Sequence, residues 1–322
     1  MSTETIHHSM VRDVLEGLQQ DPKRLPSKYF YDEEGDKLFQ AIMNMPEYYL
    51  TNSEYEVFTQ QKEALLKQIG REPFNLIEFG AGDGYKTKVL LNYFLEEGVD
   101  FRYMPVDISD SILQELASSL QNDLPNLDVQ PLHFEYFEAI RHLNENQDGP
   151  TRNVILFLGS NIGNFTEVQV RDFLKRIGSN CRTDDMLLIG VDLQKDPDVI
   201  LRAYNDPHGI TAAFNLNLLE RFNRELDTNF VVEHFKHYAL YHPETGEARS
   251  YLISLKDQEV YFPEAEETIR FQYAEPIHTE ISRKYTLKQL EQLARESGFR
   301  VVEHFLDCRH YFVDSLWQKQ QP

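Results

Sequence analysis

Cysteine is nearly absent: the 322 residues contain two, Cys181 and Cys308, far apart and in neither a C-x-x-C nor a zinc-ligand spacing. That excludes a disulfide framework and a cysteine-built metal site, and leaves two reduced thiols. Positive charge is scarce as well, with 32 Lys+Arg against 53 Asp+Glu and a formal net charge of -21. A chain this acidic repels phosphate backbones and anionic lipid, which argues against nucleic acid or a membrane surface as partner. No apolar run approaches the roughly 18 residues of a membrane span. The start, Met1-Ser-Thr-Glu-Thr5, lacks the basic-then-apolar form of a signal peptide. A cytoplasmic location is expected. The 11 histidines form no H-x-x-x-H or HExxH pattern, so no metal is expected, and His133, His234, His237 and His278 read as surface or strand residues.

What is present is a length that suggests about two domains and a middle that alternates short apolar runs with helical stretches, the pattern of a parallel sheet. Strands are expected at Phe74–Phe79, Phe101–Asp107, Leu127–Phe134 (weaker), Asn153–Leu158 and Asp185–Val191. Helices are expected at about 86–96, 112–120 and 167–177. Thr286 can cap a helix through about Glu296, stopped by Ser297-Gly298. Two strand-like runs follow, Phe299–Leu306 and Tyr311–Trp317, joined by a short polar turn. A hairpin closing an otherwise parallel sheet is the usual end of a class I methyltransferase. The expected fold is therefore α/β, a Rossmann-like sheet with a C-terminal antiparallel hairpin over 61–194 and 286–322. Residues 1–60 and 195–285 read as one discontinuous α+β substrate domain.

The first strand runs into Glu78-Phe-Gly-Ala-Gly-Asp-Gly84. Glycines at 80, 82 and 84 let the backbone turn sharply under an adenosyl ligand, with a helix N-terminus behind. The dinucleotide fingerprint needs a glycine where Tyr85 stands. The loop instead suits S-adenosylmethionine (SAM), which has no pyrophosphate to cradle. Asp107, closing the second strand, is placed either to accept the ribose hydroxyls or, with Ser109, to cap the next helix. Lys86 opens a helix where a cation is unfavourable for the dipole, which suggests a nearby anion such as the methionine carboxylate, or else a solvated side chain.

Further segments carry a resemblance: Tyr29-Phe-Tyr-Asp-Glu-Glu-Gly35, Met45-Pro-Glu-Tyr-Tyr-Leu-Thr51, Phe157-Leu-Gly-Ser-Asn-Ile-Gly-Asn-Phe165, Arg202-Ala-Tyr-Asn-Asp206, Thr211-Ala-Ala-Phe-Asn215, Asn223-Arg-Glu-Leu226 and Ile277-His-Thr-Glu-Ile-Ser282. At these points, across essentially the whole chain, the sequence resembles the histidine-specific SAM-dependent N-α-methyltransferases of ergothioneine biosynthesis. The resemblance implies trimethylation of the α-amine of L-histidine to hercynine. It implies that Gly80, Gly82, Lys86, Asp107 and Phe134 hold SAM, and that Tyr48 reaches the reacting amine and the cofactor. Gly159, Asn164 and Tyr204 would fix the amine and carboxylate, with Tyr48, Asn164 and Tyr204 nearest the chemistry. Glu280 and Ser282 would bind the imidazole nitrogens, and Tyr31 would sit close to the ring. Taken alone, Glu280 and Ser282 alternate on one strand face and would simply face water, Asn164 would be a turn residue and Tyr204 a packing residue.

Two positions depart from the family pattern. Ser250 stands where its histidine enzymes usually place methionine against the ring, which leaves open another amino acid or a histidine derivative as substrate. His133-Phe134 replaces Asp-Phe at the adenine, so the contact with the adenine amino group falls to Glu135 or backbone. A SAM sensor without turnover and a nicotinamide oxidoreductase are the rival classes. The first is disfavoured by the imidazole-binding set, the second by Tyr85 and the C-terminal hairpin. A monomer acting on a small amino acid is expected.

Overall fold

The computed structural model of the protein describes residues 3–134, 138, 139, 141 and 151–321. In chain order its elements begin with α1 (Thr3–Leu18), β1 (Lys23–Arg24), α2 (Glu33–Met43), α3 (Leu50–Ile69), β2 (Phe74–Phe79), α4 (Thr87–Glu96), β3 (Phe101–Asp107) and α5 (Asp110–Asp123). There follow β4 (Asp128–Val129), β5 (Leu132–His133), β6 (Arg152–Phe157), α6 (Glu167–Asn180), β7 (Met186–Asp192), α7 (Pro197–Tyr204) and α8 (Ile210–Leu226). The last are β8 (Phe235–His242), β9 (Glu247–Ser254), β10 (Gln258–Phe262), β11 (Glu267–Phe271), β12 (Pro276–Arg283), α9 (Leu287–Glu296), β13 (Phe299–Leu306) and β14 (Phe312–Lys319).

Two compact units divide the chain. The sheet unit is Leu50–Gln194 with Lys284–Pro322, and the other is Met1–Tyr49 with Lys195–Arg283. The division falls between Tyr49 and Leu50, ahead of the 60/61 boundary the sequence suggests. The reason is α3, whose Val57, Phe58, Leu65, Leu66 and Ile69 pack into the same cluster as Leu76, Leu90 and Leu156.

The sheet of that unit has the order β13-β14-β7-β6-β2-β3-β4, with β5 also on β3. β2, β3, β4, β5, β6 and β7 pair in parallel, while β14 runs antiparallel to β7 and β13 to β14. This is the class I methyltransferase arrangement read from the sequence. The weak strand expected at 127–134 breaks into the two-residue pieces β4 and β5. Parallel strands bury both faces, and the alternation is visible in β2: Ile77 and Phe79 enter one apolar cluster, Leu76 the opposite one. Thr166 and Thr286 each form a complete capping box, with Gln169 and Gln289, which fixes where α6 and α9 begin.

The other unit is built on the sheet β1-β12-β9-β8, beside the hairpin β10-β11. One apolar cluster joins this sheet to α1, α2 and α8 through Val14, Ile42, Phe214, Phe222, Leu252 and Ile277. Its phase changes once. β12 pairs with β9 as Ile277↔Leu252 and His278↔Tyr251, then resumes as Glu280↔Ser250 and Ser282↔Ala248. The extra residue, Thr279, is a β-bulge. Among the described residues no helix is long and apolar enough to cross a membrane.

Candidate active site

In the sheet unit, the loop after β2 takes three left-handed turns, at Gly80 (φ 68°), Gly82 (φ 55°) and Gly84 (φ 67°). A side chain at Gly84 would also collide with Leu116 Cδ1, 2.7 Å from the Cβ position. Beneath the loop, Glu78 accepts hydrogen bonds from Thr87 Oγ1 at 2.6 Å and Tyr103 Oη at 2.5 Å. It thereby ties the strand before the loop to the helix after it. Burial pushes the Glu78 carboxyl up to about 7, against the pull of those two donors.

Asp107 stands half-buried at the end of β3, with Oδ1 accepting from Ser109 N at 2.9 Å. The cap of α5 is Ser109, which accepts from Ile112 N, so Asp107 keeps a carboxylate oxygen outside the capping interaction. His133, opposite Asp107 in the parallel pair, places Nε2 at 2.8 Å from the carbonyl oxygen of Ile108. Phe134 packs partly buried against the core. Glu135 lies outside the described residues. These groups fit an adenosyl ligand: glycine backbone for close approach, a carboxylate for hydroxyls and a ring face for a base.

Lys86 precedes α4, and its partly exposed side chain pairs its ammonium with Glu54. Glu54 is fully buried and was not foreseen from the sequence. It does carry a signal there, because it occupies a slot in the buried stripe Leu50, Ser53, Val57 and Phe58 of α3. Gly159, left-handed at φ 72°, lies beside the pair: a Cβ there would sit 3.6 Å from Lys86 Nζ. Asn164, itself exposed, ends the 3-10 turn Asn161–Asn164, whose Ile162 and Gly163 are buried.

In the other unit, Tyr31, Tyr48 and Tyr204 belong to one aromatic series. Tyr31 meets Phe39 edge-on at 5.6 Å between centroids, Phe39 meets Tyr48 at 6.5 Å, and Tyr48 meets Tyr204 at 6.5 Å. Tyr204 then donates its hydroxyl to Ser282 Oγ at 2.9 Å. Tyr31 is 46% exposed, yet desolvation, then the charge of Glu280, raises its pKa above the ordinary tyrosine value.

The bulge gives Glu280 and Ser282 their setting. Past it they share a sheet face with Ile277, and Ser250 lies directly opposite Glu280. Thr279 donates to Asn215 Oδ1 of α8 at 2.7 Å, anchoring the bulge. Asp206 caps the start of α8 by accepting from Ile210 N and Thr211 N at 2.9 and 2.8 Å. On β8, His237 brings Nε2 within 3.3 Å of Ser250 Oγ. Read from sequence as an ordinary strand residue, His237 is buried, and burial pushes its imidazole down to about 4, with Asp206 opposing. It is neutral at physiological pH. Among the described residues no cluster of His, Cys, Asp or Glu could hold a metal ion.

Known proteins place the chain in a family. The family described as "Histidine-specific methyltransferase, SAM-dependent" matches residues 10–319. The chain is 35% identical to a histidine N-alpha-methyltransferase of Mycobacterium tuberculosis, covering 97% of this chain and 96% of that one. It is 30% identical to a protein of the same name from Mycolicibacterium smegmatis, covering 98% and 97%. A 4-dimethylallyltryptophan N-methyltransferase from Claviceps fusiformis is 26% identical over 63% of this chain and 59% of its own.

Proposed function

The chain belongs to the histidine-specific SAM-dependent methyltransferases, and on that premise we propose that it trimethylates the α-amine of L-histidine to give hercynine. One observation carries the choice of substrate: Glu280 and Ser282 lie on one sheet face, with Ser282 tied to Tyr204. A carboxylate beside an imidazole accepts from a ring N–H and selects a tautomer, while a serine hydroxyl satisfies the second nitrogen. A phenyl ring offers neither the N–H nor the ring-nitrogen acceptor that this pair is assigned to meet.

SAM supplies an electrophilic methyl group whose leaving group is a neutral thioether. The chain has to present an uncharged amine in line with the C–S bond and to exclude water. Tyr48, Tyr204 and Asn164 are assigned to orient the amine through hydroxyls and an amide, which do not hold it as an ammonium. Gly159 is assigned to the carboxylate and Tyr31 to the edge of the ring. Gly80 and Gly82 bring the protein backbone close to the cofactor, while Lys86 takes its carboxylate, Asp107 its ribose and Phe134 its adenine. The protein is read as a monomeric cytoplasmic enzyme.

A second substrate is favoured by one observation: Ser250, opposite Glu280, is small and polar. The test is mass spectrometry of products after incubation with SAM and an equimolar mixture of the common amino acids. Trimethylated histidine alone is expected. Methylation of another amino acid moves the specificity to the Ser250 wall, and bound SAM without any product overturns the catalytic reading.

A further inference from the structure

The Glu54 carboxylate does two things at once. It pairs with the Lys86 ammonium, and it accepts the Gly159 amide N–H, at 2.8 Å on one oxygen and 3.1 Å on the other. Its space exists because β7 carries a glycine below it, since a Cβ at Gly190 would run into Glu54 Oε1. Beside it lies Asp314, the register partner of Gly190 on β14 and fully buried. Burial, then the charge of Glu54, holds the Asp314 carboxyl well above the usual carboxylate range. Two ionised carboxylates so close are unfavourable, and with Asp314 protonated the pair carries one negative charge, matched by Lys86. The turn that Glu54 grips is also fastened to β7. Ser160, left-handed at φ 60°, donates its N–H to the carbonyl of Gly190 at 3.1 Å, and its hydroxyl accepts from Asp192 N at 3.0 Å.

We propose that Glu54 is a positioning residue for both ends of the reaction, aiming Lys86 at the cofactor's carboxylate and fixing the Gly159–Ser160 turn for the amino-acid substrate. The proposal rests on the cofactor and substrate assignments above. An ammonium has three N–H donors, so Lys86 held by Glu54 retains donors for an incoming carboxylate. A lysine stem locked in advance gives up less side-chain entropy on binding. One buried carboxylate that touches neither ligand thus conditions the affinity for each.

The test is a double-mutant cycle on the full chain, with SAM affinity from calorimetry and histidine KM from initial rates. Glu54→Gln, which keeps the size and an amide acceptor but loses the charge, is expected to raise the SAM Kd about tenfold and to raise the histidine KM. In a Lys86→Met background, Glu54→Gln is expected to leave the SAM Kd unchanged and still to raise the histidine KM, because the Gly159 contact persists there. A SAM Kd in Glu54→Gln within twofold of wild type, or effects of the two substitutions that simply multiply, would overturn the proposal. Glu54→Asp, which keeps the charge but falls short by one methylene, takes the place of Glu54→Gln should that variant fail to fold, with the same outcomes deciding. Acylation of Lys86 by an amine-selective reagent, followed by peptide mass spectrometry, needs no cofactor. It is expected to run at least tenfold faster in Glu54→Gln, and an unchanged rate sinks the Glu54–Lys86 link. Wild-type protein that fails to bind SAM, with the acylation result as expected, refutes the cofactor assignment and not the pairing.

Discussion

Ser250 and Glu280 face each other across the antiparallel pair of β9 and β12, immediately past the bulge that rephases β12. Directly opposite residues bring their Cβ atoms to about 5 Å, so the carboxylate assigned to the imidazole and the serine beside it form one wall. His237, two positions along β8 from the Ala239 that faces Ser250, backs that wall as a neutral imidazole. The proposed specificity is assigned to this wall, and the first two predictions test it.

Glu280→Ala removes the acceptor assigned to the substrate ring. A hydrogen bond to a charged group is worth about 1.5–3 kcal/mol, so kcat/KM for histidine is expected to fall roughly 10- to 150-fold. The SAM Kd should stay where it is. Unchanged histidine kinetics in this variant would return Glu280 to a surface role.

Ser250→Met replaces a small hydroxyl with a long apolar side chain and breaks the 3.3 Å contact with His237. The narrower wall is expected to raise the preference for histidine over larger aromatic amino acids by about tenfold, the worth of a methylene or two in a pocket. Competition between histidine and tryptophan, with products quantified together, reads this ratio directly. A ratio that does not move would place Ser250 away from the ring.

Lys284 and Asp192 form an ion pair at 2.9 Å in which both side chains are wholly buried. Lys284→Met leaves a buried carboxylate without its partner and is expected to cost about 3–5 kcal/mol. Adding Asp192→Asn should recover much of that loss, because no uncompensated charge remains. Urea denaturation midpoints of the single and double variants measure both effects, and a double variant no better than the single would contradict the pairing.

Acidity is expected to act on the two units in opposite directions. Glu78, in the sheet unit, is raised by burial from 4.5 to about 7. Its contribution to stability is fully present below about 4.5 and is lost as pH rises through about 7. His237, in the other unit, is lowered by burial from 6.5 to about 4. Its contribution is present above about 6.5 and is lost as pH falls through about 4. Each amounts to something on the order of 3 kcal/mol. Hydrogen exchange of β2 and β8 amides at pH 5 and pH 7, corrected for intrinsic rates, should show protection shifting in opposite senses. Glu78→Gln should flatten the β2 response alone.

The strands of the parallel sheet, the glycine loop and the capping Thr286 were legible in the linear chain, because each depends on neighbours a few residues apart. Apolar runs mark strands buried on both faces, Gly80, Gly82 and Gly84 mark left-handed turns, and Thr286 with Gln289 marks a helix start. The motif residues Tyr31, Tyr48, Tyr204, Glu280 and Ser282 could be named from the resemblance, but not their surroundings. Plain alternation along β12 puts Ile277 and Thr279 on one face and Glu280 and Ser282 on the other. The tertiary structure inserts Thr279 as a bulge, held by Asn215 from α8, and moves Glu280 and Ser282 to the face of Ile277. Glu54 likewise reads as one more acidic residue until Gly190, Asp314, Lys86 and Gly159 converge on it from β7, β14 and the two loops. The sequence by itself determined which segments are helix, strand and cofactor loop, since periodicity and turn chemistry are local. Only the tertiary structure decided which polar side chains are buried and what they meet, because burial and pairing depend on segments far apart in the chain.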